Sequence, residues 1–156
     1  MELMGVFKMI EGLFAFFASF GFAILFNIKS NRTIYAAGVG GIGGIIYKLI
    51  MNGDTSKETL ALFVASLVIG ICSEFLARKL KCPTTTFQIC ALIPLVPGGG
   101  MYNTMLAVVN NDLNQAIKLG VNTAAQACAI VIACVLVSSI IRTYNILQVK
   151  HKDIMS

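Results

Sequence analysis

"ALIPLVPGGGMYNTM", residues 91–105, puts two prolines and three consecutive glycines inside one of the most apolar parts of the chain. Pro94 and Pro97 each remove a backbone donor and clash with the preceding turn, and Gly98, Gly99 and Gly100 weaken any helix that continues through them. What such a break means depends on the solvent around it. Of the 156 residues 57% are hydrophobic and only 12% charged, which excludes an ordinary soluble domain and points to an integral membrane protein.

About 20 largely apolar residues are needed for a helix to cross the hydrocarbon core, and the sequence supplies five such stretches, near 3–27, 33–52, 59–77, 84–109 and 115–142. The expected fold is therefore all-α: one polytopic transmembrane domain over 1–156 with five transmembrane helices, the fourth broken near mid-membrane, and a tail at 143–156. "NIKSNR", "NGDTSKE", "RKLKCP" and "NNDLN" punctuate the spans. The start, "MELMGVFKMIEGLFAFF", has no basic leader ahead of a short apolar core and cleavage site, so no removable signal peptide is expected.

Lys29 and Arg32 follow the first span, Arg78, Lys79 and Lys81 the third, and Arg142, Lys150 and Lys152 the fifth. Cytoplasmic loops carry the Lys/Arg excess, so an odd span count places the amino terminus outside and the carboxyl terminus in the cytoplasm. The formal charge of +5 is scattered between apolar runs, which argues against a nucleic-acid partner. Lys8 and Glu11, near the outer end of the first span, read as snorkelling side chains.

Small residues recur at helical spacing: Gly40 with Gly44, Ser66 with Gly70, and Ala125, Ala129 and Ala133. Such stripes let helices approach closely in lipid. The first span, with Phe14, Phe17 and Phe26 among its phenylalanines, is expected to meet lipid. "GVGGIGG" (38–44) spells GxGxxG, but a dinucleotide fingerprint needs a strand before it and a soluble βαβ unit around it. "PGGG" lacks the following Lys-Ser/Thr of a phosphate loop. Five scattered cysteines and a lone His151 offer no metal-ligand spacing, so no metal or cofactor is expected and the cysteines read as small apolar filler.

Residues 94–100 would lie roughly 15–25 Å along the fourth span, near the bilayer middle. Irregular backbone at that depth is tolerated only where protein or a water-filled cavity covers it, and broken helices at mid-membrane build the substrate sites of many secondary transporters. The alternative reading is a proline kink with packing glycines. The N–H groups of Gly99, Gly100 and Met101, at the start of the second half-helix, suit a carboxylate; carbonyls near Ala91 and Ile93 suit an ammonium or cation. The candidate substrate-binding set is thus Pro94, Pro97, Gly98, Gly99 and Gly100, with Tyr102 and Asn103 next in line. Asn122 and Gln126, one turn apart, either line the same cavity or bond across a helix interface. Glu74 and Arg78, spaced i, i+4, read as an interfacial ion pair, with a gating role as the alternative. Gly40, Gly44 and Asn27, which closes the first span, complete the gating or structural set.

"GFAILFN" (21–27), the Gly-rich second span, "IPLVPGGGMY" (93–102) with its P-x-x-P-G-x-x-x-Y form, and the polar fifth span around Asn122 resemble the threonine/serine exporter family, ThrE. More closely than the full-length members, the chain resembles the short YjjB-like subunits that correspond to their carboxyl-terminal half. That resemblance implies a bacterial inner (plasma) membrane export system in which a larger YjjP-like membrane subunit supplies the other spans. It implies export of a small carboxylate, either threonine and serine or succinate-like dicarboxylates. It also matches Pro97, Gly98 and Tyr102 to the family motif, Pro94 to its upstream proline and Asn27 to the end of the first span. A homo-oligomer is the other assembly to expect. The alternative function is a channel or structural subunit without its own substrate site. A membrane-embedded enzyme lacks a credible nucleophile and base.

Overall fold

The computed structural model describes residues 2–51 and 55–154, with side chains described for 10–29, 32–51 and 56–144. It is all helical: α1 (Glu2–Leu25), α2 (Ser30–Met51), α3 (Glu58–Leu80), α4 (Thr84–Leu92), α5 (Gly98–Val109) and α6 (Leu113–Ile154). A single 3-10 turn (Thr55–Lys57) precedes α3 and another (Ile93–Leu95) extends α4. The three prolines of the chain fall at the two ends of α4, so every other apolar run continues as uninterrupted helix. α6 runs unbroken into the expected tail, because no glycine or proline occurs from Val121 to Ile154.

The expectation of five spans is corrected. Among the described residues three helices are long and apolar enough to cross a membrane, Arg32–Met51, Glu58–Leu80 and Leu113–Tyr144. The pair Thr84–Leu95 and Gly98–Val109, bent by 50°, makes at most a fourth. Among the described residues α1 contributes the apolar helix Ile10–Leu25, shorter than the ~20 residues a crossing needs. The expected placing of the amino terminus outside rested on the odd count and falls with it; the cytoplasmic carboxyl terminus was expected from the basic clusters, which the count does not decide. The basic clusters nevertheless share an end, because the crossing removed precedes the first of them. Arg32 Nη2 donates to the Leu80 carbonyl at 3.3 Å, joining the 29–32 and 78–81 corners directly.

α1 runs antiparallel along α2 through a regular seam. An added Cβ at Gly40 would overlap Ser19 Oγ, and one at Gly44 would meet the Ala15 methyl at 2.6 Å. Ala23 and Ala36, both fully buried, continue the seam at one end, and the Glu11–Lys48 ion pair closes it at the other. Each step of four residues forward on α1 is a step of four back on α2. Glu11 thus has a partner rather than snorkelling, while the Lys8 side chain lies outside those described. Phe14 and Phe17 on α1, and Phe26 just after it, are exposed.

α3 packs between α2, α4 and α6. Val39, Leu62, Ala65, Ile69, Ala91, Leu95 and Ile130 form the main core, and an added Cβ at Gly70 would meet Val137 at 3.2 Å. On α6 the buried face is Thr123, Gln126, Ile130, Ala133 and Val137, so of the expected alanine ridge only Ala133 is fully buried and Ala125 is exposed. Asn27 is a structural cap. Its φ of 54° is left-handed, with Ile28 N–H bonded to Ala23 O at 3.0 Å and Asn27 N–H to Ile24 O at 2.9 Å, the paired bonds of a Schellman motif. Glu74 accepts from Thr84 Oγ1 at 2.6 Å and lies 3.6 Å from Arg78 Nε, tying the end of α3 to the start of α4.

Candidate functional site: the cavity at the broken helix

The break is built by its prolines. Pro97 (φ −73°, ψ 61°) centres an inverse γ-turn in which Gly98 N–H reaches back to Val96 O at 2.7 Å. That geometry lets α5 start afresh, 50° away from α4. The Ile93 carbonyl accepts Val96 N–H at 3.2 Å, and Met101 N–H bonds to Pro97 O at 3.1 Å. Two groups expected to face a ligand, the Ile93 carbonyl and the Met101 amide, are therefore taken. Gly99 and Gly100 N–H have no acceptor among the described residues, and they carry the partial positive charge of the start of α5.

The depth is fixed by packing. An added Cβ at Gly43 would meet Ile69 Cδ1 and, at 3.9 Å, Leu95 Cδ1, so Leu95 sits level with the middles of α2 and α3. The glycine run follows just beyond. A cavity of about 510 Å³ opens there, lined from the break by Pro94, Leu95, Val96, Pro97 and Gly98–Gly100. Its other walls come from α1 (Glu11, Phe14, Ala15, Ala18), α2 (Gly44, Tyr47) and α3 (Glu58, Leu62). Nothing lies within 4 Å of an added Cβ at Gly98 or Gly99, whereas one at Gly100 would overlap Thr123 on α6. The first two glycines face space, and the third keeps α5 close to α6.

The cavity is polar where the sequence reading left it bare. Glu11 pairs with Lys48, and Tyr47 Oη donates to Glu58 Oε1 at 3.4 Å. These four side chains come from three helices and were not singled out as a group, because their contacts are between helices. Two sequence signals point to them. Tyr47 and Glu58 flank the short "NGDTSKE" connection of an antiparallel helix pair, and Lys48 lies one turn beyond Gly44 on the seam that puts Ala15 opposite it and Glu11 opposite Lys48.

Not all the expected site residues gather here. Pro94, Pro97, Gly98, Gly99 and Gly100 line the cavity. Tyr102 is 68% exposed on the outside of α5. Asn103 lines a separate pocket of about 390 Å³ with Asn110, Asp112 and Gln115, between α5 and the start of α6. Asn122 is exposed and Gln126 buried, so the two do not share an environment.

Residues 11–140 match the family described as "Threonine/Serine exporter, ThrE". The chain belongs to the ThrE family. A protein of Haemophilus influenzae described as uncharacterized is 29% identical over 97 residues. The match covers 62% of this ThrE-family chain but only 32% of that relative, so the chain spans about a third of the relative's length. No solved structure matches the chain. ThrE is a family of transporters, not enzymes, and this member is a multi-pass membrane protein whose bent helix opens into a cavity at half depth.

Proposed function

We propose that this chain is the small subunit of a bacterial inner-membrane secondary exporter of small carboxylates, working by alternating access with the broken helix 94–100 in its substrate cavity. One observation carries the reading: free N–H groups at a helix start and a carboxylate from another helix line the same cavity. A substrate carboxylate binds the Gly99 and Gly100 amides, as anions bind helix N-termini generally. An ammonium group binds Glu58, whose neutral neighbour Tyr47 leaves its charge uncompensated on that side. Threonine or serine fits both ends, whereas succinate would set its second carboxylate against Glu58 and Glu11.

A larger YjjP-like membrane subunit completes the exporter in this reading. The chain covers only a third of its relative, and Tyr102, Asn103 and Asn122 present polar groups on its outer face, where lipid alone would leave amides unpaired. Those residues contribute to the shared surface or to the part of the substrate path that the partner encloses.

The test is counterflow of radiolabelled threonine, serine and succinate in proteoliposomes holding this chain with and without the larger subunit. Transport of the amino acids only with the partner supports the two-component exporter. No movement of any label in either preparation removes it, and transport by this chain alone replaces the partner with a homo-oligomer. Within that assay Glu58→Gln is expected to weaken threonine and serine apparent affinity by about tenfold, the worth of one hydrogen bond to a charged group. Succinate should compete better in the same variant. Unchanged affinity for all three would remove Glu58 from the site.

A further inference from the structure

The two polar contacts of the cavity share one support. Tyr47 and Lys48 are adjacent in the last turns of α2, and each reaches a different helix: Lys48 to Glu11 on α1, Tyr47 to Glu58 on α3. Glu11, Tyr47 and Glu58 line the cavity on the side away from the basic clusters, where α2 ends and α3 begins. From the break at mid-depth to that end of the molecule, these side chains tie α2 to α1 and to α3. Below them the α1–α2 seam is alanine, serine and glycine, which supply close contact but no polar tie.

We propose that Tyr47 and Lys48 form a clasp that closes the cavity toward this end of the molecule, and that its release is the gating step on that side. The inference rests on the exporter reading above, since a gate needs a cavity that carries something. Both ties are partly exposed, with the Lys48 and Glu11 side chains 29% and 40% accessible, so each is weak enough to break in a working cycle. They also differ in how they respond to cargo. An ammonium group on Glu58 competes directly with the Tyr47 hydroxyl, so an arriving substrate removes one of the two ties while Glu11–Lys48 stays in place. Opening therefore needs both an occupied cavity and separation of one residual ion pair.

Thiol accessibility reads the clasp without relying on transport. Gly99→Cys places a sulfur in open space within the cavity, since nothing lies within 4 Å of an added Cβ there. In full-length protein with the five native cysteines replaced by alanine, its reaction with a charged, membrane-impermeant thiol reagent is timed in spheroplasts and in inverted vesicles. Lys48→Met is expected to speed modification about fivefold from the face on which α2 ends, the scale of losing one partly exposed ion pair. Tyr47→Phe should act in the same direction. The exchanged pair Glu11→Lys with Lys48→Glu should return the rate to its starting value, which a merely damaged fold would not do, and it serves if Lys48→Met fails to reach the membrane.

A reactive thiol whose rate is the same in all these backgrounds overturns the clasp and leaves the cavity reading standing. A thiol unreactive from either face, in protein that still exports, overturns the cavity reading and the clasp with it.

Discussion

Replacing Gly98 with leucine is expected to lower export about ten- to a hundredfold while the amount of protein in the membrane stays normal. The expected size follows from losing a carboxylate's hydrogen bonds to backbone amides, since bonds to charged groups are worth about 1.5–3 kcal/mol. The dissociation from folding follows from geometry: an added Cβ at Gly98 meets nothing within 4 Å, so the leucine enters the cavity rather than a packed neighbour. There it stands over the Gly99 and Gly100 amides at the start of α5. Export by the leucine variant at the normal rate would show that cargo does not pass this turn. Gly100→Leu is the contrasting case, because its side chain would be driven into Thr123 and would part α5 from α6.

The second large effect is on stability. Gly40→Leu puts a side chain where Ser19 and the Ala15 carbonyl already lie, in the closest approach of α1 and α2. Overpacking of this kind costs about 1–3 kcal/mol or more, and here backbone on the far side limits relaxation. The variant should accumulate poorly in membranes and lose its thermal transition in detergent at a clearly lower temperature. Gly38→Leu, two residues away and with nothing near its added Cβ, should behave as the parent does. Equal loss in both would mean that helix propensity, not the seam, sets the requirement for glycine.

Much of this was legible in the sequence because apolar length and proline position are local properties. The α2, α3 and α6 spans follow from them, as does the break between α4 and α5. The glycine pair Gly40 and Gly44 signalled close packing, and its partner stripe Glu11–Ala15–Ser19–Ala23 is written at the same interval on α1. What the sequence reading missed was α1 itself. Its apolar composition counted as a fifth stretch, and the charge clusters, taken as support for an odd count, are satisfied equally by an even one. The cavity's charged residues were passed over for a related reason. Glu58 opens α3, where a carboxylate usually faces water, and Glu11 reads as a snorkelling side chain; only the antiparallel pairing of the helices turns both toward the break. Tyr102 and Asn103 illustrate the converse: adjacency to the motif along the chain does not survive the twist of α5, which carries them to its outer side.

The seam between α1 and α2 repeats itself every four residues, and a self-similar surface does not define its own alignment. Moved by one helical turn, α1 would set Ala15 on Gly40 and Ser19 on Ala36, again small against small, and dispersion contacts would scarcely distinguish the two settings. The two ends of the seam tell them apart, because the shift carries Glu11 from Lys48 to Gly44 and Ala23 from Ala36 to Arg32. One ion pair at the rim thus acts as the index mark of an otherwise uniform scale, as a single polar position does in a coiled coil. In the structure that mark stands at Glu11 on Lys48, and the register of α1 on α2 is read from it.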